Sequence, residues 1–255
     1  MKAKLSGFLF GLFFCAISTS AQPIIEYHYQ VVERFPHDAM LFTQGLEFHD
    51  GILYESAGQW GQSQVLTRTL DKTQPTQQYS LDQRYFAEGI TLLNQKLYQL
   101  TWQSQQGFIY DPESLKLEGK FIISGEGWGL TNNGKELIMS NGSAVIQFID
   151  PDTFRVLRNI TVRMGDLAVE KINELEWVDG LIYANIWHSE WLIMINPDNG
   201  QVVGKVLLKE LLPKKQRTAK TDVLNGIAYD NDKKRLLVTG KYWPAVFHIT
   251  LSAKP

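Results

Sequence analysis

From residue 24 onward, apolar and polar positions alternate in short runs separated by turn-forming residues, the period of half-buried β-strands. Five segments with this patterning superpose: Phe42-Thr-Gln-Gly-Leu-Glu-Phe, Phe86-Ala-Glu-Gly-Ile-Thr-Leu, Glu126-Gly-Trp-Gly-Leu-Thr-Asn, Lys171-Ile-Asn-Glu-Leu-Glu-Trp and Val223-Leu-Asn-Gly-Ile-Ala-Tyr. Their fourth residues, the anchors Gly45, Gly89, Gly129, Glu174 and Gly226, lie 44, 40, 45 and 52 residues apart. A strand-built repeat of that length is the signature of a β-propeller blade.

Each repeat predicts the same series of strands. After the anchor strand comes a tight hairpin, carrying Asp50-Gly51, Asn94-Gln95, Asn133-Gly134, Asp179-Gly180 or Asp230-Asn231. Second strands are predicted at Gly51–Ser56, Lys96–Leu100, Glu136–Ser140, Leu181–Asn185 and Arg235–Thr239. Third strands follow, and the middle three run into Asp111-Pro112, Asp150-Pro151 and Asn196-Pro197, turns that stop a strand. Fourth strands are predicted around Gln77–Leu81, Gly119–Ile123, Arg158–Arg163 and Val202–Leu208. The fifth repeat has none before Pro255, whereas Ile24–Arg34 alternates as a strand and has no blade of its own. The expected fold is therefore all-β: a five-bladed β-propeller with four antiparallel strands per blade, its ring closed by the N-terminal strand, which also removes an exposed edge. The basic stretch Lys209–Thr221, containing Pro213, accounts for the longest interval and reads as a solvated surface loop.

Composition narrows the compartment and the chemistry. Lys2 and Lys4 precede an apolar run from Leu5 to Ile17 and then Ser18-Thr-Ser-Ala21, the pattern of a secretory signal cut after Ala21. That run is shorter than the roughly 20 residues needed to span a bilayer. Residues 22–255 are expected to form one exported domain, periplasmic or secreted, monomeric and free of the membrane once the signal is removed. The one cysteine, Cys15, lies inside the signal, which excludes a thiol nucleophile or thiolate metal site in the rest of the chain. Losing Lys2 and Lys4 takes the formal charge from −2 to −4, so neither nucleic acid nor an anionic membrane is an expected partner.

The repeat also locates a candidate site. In a propeller the start of the first strand and the end of the second lie on one face of the channel. The residues just before the anchors are Gln44, Glu88, Trp128, Asn173 and Asn225. Those at the ends of the second strands are Gly58, Trp102, Gly142, Trp187 and Lys241. Scaffold positions repeat because each repeat has the same packing task; these do not repeat. Three of the seven tryptophans fall on them, beside one carboxylate, one ammonium and three carboxamides. An apolar pocket with a few convergent polar groups is the usual form of a small-molecule site. The bland alternative is a water-filled channel with tryptophans packed between blades.

No serine, threonine or cysteine stands in the ring, which argues against an acyl-enzyme. The five histidines share no spacing, which argues against zinc. One glutamate suits proton transfer, the amides and Lys241 suit polarising a carbonyl, and the indoles exclude water. This is the equipment of general acid–base catalysis on an uncharged amide or ester. A non-catalytic propeller binding a peptide or sugar at its aromatic mouth is the alternative. A calcium-dependent, lactonase-like hydrolase is a third reading, for which the carboxylates are few.

Taken in order, Phe42-Thr-Gln-Gly-Leu, Phe86-Ala-Glu-Gly-Ile-Thr, Gly127-Trp-Gly-Leu-Thr, Asn173-Glu-Leu-Glu-Trp with Ala184-Asn-Ile-Trp, and Leu224-Asn-Gly-Ile-Ala resemble the plant and bacterial type of glutaminyl-peptide cyclotransferases, which are five-bladed propellers. The resemblance runs from Phe42 to Lys241. It implies conversion of N-terminal Gln of peptides and proteins to pyroglutamate with release of ammonia. It also implies a catalytic Glu88 with Gln44, Asn173 and Lys241, and a substrate pocket of Phe42, Phe86, Trp102, Trp128 and Trp187. No cofactor and no catalytic metal are implied, although a structural ion in the channel is compatible with it.

Overall fold

The computed structural model describes residues 23–255. The signal peptide expected over residues 1–21 lies outside the described residues. Among the described residues the chain is all-β apart from a single 3-10 turn at Lys214–Gln216.

Alternation and turn chemistry together place the strands. In three of the five inner hairpins both turn residues have positive φ (Asp50 and Gly51, Asn94 and Gln95, Asp179 and Gly180), the geometry whose twist matches that of the flanking strands. The five inner strands are Thr43–His49, Ala87–Leu93, Leu130–Asn132, Ile172–Val178 and Leu224–Asp230. Burial falls outward: Leu224–Asp230 is buried throughout, whereas in Gln77–Ser80 and Val156–Thr161 most residues are exposed.

The sheets do not divide as the repeats do. The first three repeats each form a four-stranded antiparallel sheet. The fourth and fifth are one continuous eight-stranded sheet, and Arg163–Met164 with Leu167–Ala168 makes a small ribbon. The expectation of five separate four-stranded blades in a closed propeller is therefore not met. The cause is the N-terminal strand Ile25–Pro36. It pairs antiparallel with Ala245–Ala253, from Tyr27↔Ala253 to Pro36↔Ala245. Its leading end also pairs in parallel with the outer strand of the fourth repeat, Ile25↔Gly204 to Tyr27↔Val206. A strand has two hydrogen-bonding edges, and using both covers an edge that would otherwise be open. The result is a fused sheet whose division into blades is not defined by its hydrogen bonds.

The anchors show what brings the inner strands together. A Cβ on Gly45 would meet the backbone N of Ile90 at 2.6 Å, one on Gly89 the N of Leu130 at 2.4 Å, and one on Gly129 the carbonyl O of Asn173 at 2.0 Å. Only glycine permits that approach. At the fourth anchor the contact is instead polar. The buried Glu174 carboxylate accepts the backbone N–H of Leu46 at 3.2 Å and that of Ile227 at 2.9 Å, tying the fourth inner strand to the first and the fifth.

Candidate active site

The inner hairpins are irregular where the candidate residues sit. The ladder shifts between Thr43 and Gly45, Ala87 and Ile90, Ile172 and Leu175, and Leu224 and Ile227. At each shift the first strand carries one more residue than its partner. A bulge of this kind re-aims side chains and is common beside active sites. Gln44, Glu88, Asn173 and Asn225 occupy these four bulges.

Three of the four face a common cleft of about 310 Å³. Its lining includes Gln44, Glu88 and Asn173 together with Phe42, Phe86, Trp102, Trp128, Trp187 and Lys241. The nine residues that the resemblance implies thus line one cleft. Asn225 does not. It is fully buried, and its amide donates to the carbonyl of Thr43 at 2.9 Å, so it ties two inner strands. The ring glycines matter for the space they leave. A Cβ on Gly58 would strike the Phe86 ring at 2.4 Å, and one on Gly142 the Trp128 ring at 2.6 Å.

The aromatic wall is built from two groups of touching rings. Phe42 packs edge-on against Phe86 (6.0 Å between centroids), Phe86 against Trp102 (5.7 Å), and Trp128 against Trp187 (5.6 Å). Replacing Trp102, Trp128 or Trp187 with alanine removes one wall around a small side chain. Each variant is expected to raise KM as well as lower kcat, by more than any loss of folded protein explains. Steady-state kinetics beside thermal unfolding check this, and activity falling only with the folded fraction would make these residues core.

At the floor stand the polar groups. Glu88 is 4% exposed and accepts a hydrogen bond from the Gln44 amide at 2.9 Å. Burial pushes its carboxyl well above the ordinary value of 4.5; Lys241 opposes this and Glu126 adds to it. Lys241 is equally buried, and its ammonium lies 4.5 Å from the Phe42 ring centroid. Burial lowers its pKa, against the pull of Glu88 and Asp222. Asn173 is 3% exposed and lines the same floor.

Sequence reasoning missed several members. Gln59, His188 and Asp222 also line the cleft. Behind the wall, the Glu126 carboxylate accepts both indole N–H groups, from Trp102 at 2.8 Å and Trp128 at 2.9 Å. Burial raises the Glu126 pKa, but hydrogen bonds from Trp128, Gln103 and Trp102 outweigh it and hold the carboxylate ionised. The contact of Glu126 with Trp102, 24 residues away, was hidden, but its position, opening the third repeat segment two places before Trp128, was visible. Asp222 was not, because it lies in the long interval that has no counterpart in the other repeats.

A buried carboxyl with a raised pKa lies under an aromatic wall, with an amide and an ammonium beside it, a combination suited to acid–base chemistry on a small neutral group. Comparison with known proteins shows the family. A family profile described as glutamine cyclotransferase matches residues 8–251. A glutaminyl-peptide cyclotransferase of Arabidopsis thaliana is 38% identical over 226 residues, covering 87% of this chain and 71% of that protein. The crystal structure of Myxococcus xanthus glutaminyl cyclase superposes with a TM-score of 0.85 at 34% identity, covering 91% of this chain and all of that one. The chain belongs to the glutamine cyclotransferase family, and its class of enzyme is acyltransferase.

Proposed function

We propose that the protein converts N-terminal Gln of peptides and proteins to pyroglutamate, releasing ammonia, by general acid–base catalysis that needs no metal. The observation that carries this reading is Glu88, buried beneath the aromatic wall with its pKa displaced upward. In the reaction the substrate's α-amine attacks its own γ-carbonyl carbon, the new C–N bond closes the ring, and the bond to the side-chain nitrogen breaks. Nucleophile and electrophile share one residue, so the enzyme need supply no nucleophile. It must hold the folded-back conformer, move a proton and stabilise an oxyanion.

The named residues suit those tasks. The aromatic wall confines the Gln side chain. Glu88 as carboxylate takes the proton of the attacking amine and returns it to the departing nitrogen, which leaves as ammonia. An α-amine has a pKa near ~8. Upward displacement moves the carboxyl toward that value and so lessens the imbalance between taking the proton and giving it back, which favours acid–base catalysis. Gln44 orients the carboxylate by its hydrogen bond. Asn173 and Lys241 stabilise the charge that develops on the γ-oxygen.

Glu126 gives this account a pH test. The charged groups acting on Glu88 are Lys241, which lowers its pKa, and Glu126, which raises it. The reaction requires ionised Glu88, so kcat rises with pH through that pKa. Glu126→Gln removes a negative charge, lowers the Glu88 pKa and should move the acid limb of kcat to lower pH. A limb that stays put or moves upward contradicts the coupling. The function itself is tested by ammonia release from a Gln-led dipeptide, with and without a chelator. Release unaffected by chelation is expected; no release, or release abolished by the chelator, refutes the proposal.

A further inference from the structure

A second cleft, of about 270 Å³, opens beside the first, and the two share His188 and Asp222 in their linings. Its floor is apolar, with Leu208, Leu224 and Trp243 buried. The Trp243 indole donates to the carbonyl of Asp222 at 3.0 Å, fixing the shared residue to that floor. Asp222 and Lys241 are joined by backbone hydrogen bonding, the Asp222 N–H donating to the Lys241 carbonyl at 3.0 Å. The junction between the clefts is therefore held in register with the first.

The outer wall comes from the stretch that produces the longest interval between repeats. Leu211 and Leu212 are buried and anchor it, which a merely solvated loop would not require. Beyond them Arg217 donates through Nε to the Leu212 carbonyl at 3.3 Å and pairs with Glu190 at 3.6 Å, while its guanidinium lies 6.0 Å from the Trp243 ring centroid. Thr221 completes the wall, its hydroxyl accepting the Thr218 N–H at 2.8 Å.

A peptide whose first residue occupies the aromatic cleft cannot continue through the floor, which buried Glu88 and Asn173 close. It must leave over the rim, and over His188 and Asp222 it enters the second cleft. An extended chain advances about 3.3 Å per residue. An apolar floor between polar walls suits a main chain that needs hydrogen bonds at its edges and contact beneath its side chains. We infer that this cleft is the subsite for the second and third residues of the peptide substrate, with the 209–222 segment as its wall. The inference rests on the cyclase reading above.

The test compares glutamine amide, which has no second residue, with a Gln-led pentapeptide. Thr221→Trp fills the cleft, and Arg217→Ala, at an exposed position, removes part of its wall. Both should raise KM for the pentapeptide, Thr221→Trp by at least about tenfold, while leaving kcat and KM for glutamine amide within about twofold. Equal effects on the two substrates, or no effect of either variant on the pentapeptide, overturn the subsite. Thermal unfolding of each variant identifies misfolding, and Arg217→Ala still decides if Thr221→Trp fails to fold. Failure of the wild type to turn over glutamine amide while the pentapeptide also stays intact would instead bring down the cyclase reading, and the subsite with it.

Discussion

Glu88→Gln should leave the protein folded and lower kcat by at least about 100-fold, the lower end of what a positioned proton shuttle contributes. The substitution preserves shape, and a glutamine Oε1 can still accept the Gln44 amide that now lies 2.9 Å from the carboxylate. What it removes is the ability to gain and lose a proton. Stability should not suffer, because a buried carboxyl whose pKa is raised gains nothing in the fold from being ionised. The check is kcat beside thermal unfolding. Near-normal turnover would remove Glu88 from the mechanism.

Asn173→Ala and Lys241→Ala should each lower kcat more than they raise KM, with kcat falling by roughly 10²–10³-fold, the usual effect of losing one oxyanion donor. Both side chains are almost wholly buried at the floor of the cleft, where a donor is strengthened by the exclusion of water. Lys241 has a compensation for its burial, since its ammonium sits against the Phe42 ring and within the field of Glu88 and Asp222. Lys241→Ala also withdraws a positive charge that lowers the Glu88 pKa, so its acid limb should shift to higher pH, opposite to Glu126→Gln. Changes confined to KM would assign these residues to ground-state binding of the peptide.

What could be read from the chain depended on whether the signal was local. The strands were legible because alternation and turn residues are local, as in the Asp50-Gly51 and Asp179-Gly180 hairpins with their positive φ angles. The cleft residues were legible because they break the repeat in phase: Gln44, Glu88 and Asn173 each stand one place before an anchor. Phe42 and Phe86 were reached only through resemblance, since phase alone does not separate them from core phenylalanines. Sheet composition was not legible. The parallel pairing of Ile25–Tyr27 with Gly204–Val206 joins residues far apart in sequence, and nothing in either segment names its second partner. Asn225 shows the limit of phase as well, since it shares its position in the repeat with Glu88 yet donates inward to Thr43. The bulges that turn the other three toward the cleft were likewise hidden, because one extra residue in a ladder leaves the hydrophobic alternation almost unchanged.

The central claim is that burial raises the Glu88 carboxyl and suits it to shuttle a proton, and the most direct test is to titrate that carboxyl itself. Infrared difference spectra between wild type and Glu88→Gln isolate its protonated C=O band, which can be followed with pH beside the acid limb of kcat/KM, the parameter that reports the free enzyme. The expected midpoint lies well above the ordinary 4.5, displaced by burial and by Glu126 against Lys241, and coincides with the acid limb that Glu88 imposes on kcat/KM in the same buffer. A Glu88 that is fully ionised at and below pH 4.5, or one whose midpoint lies apart from the kinetic limb, would contradict it.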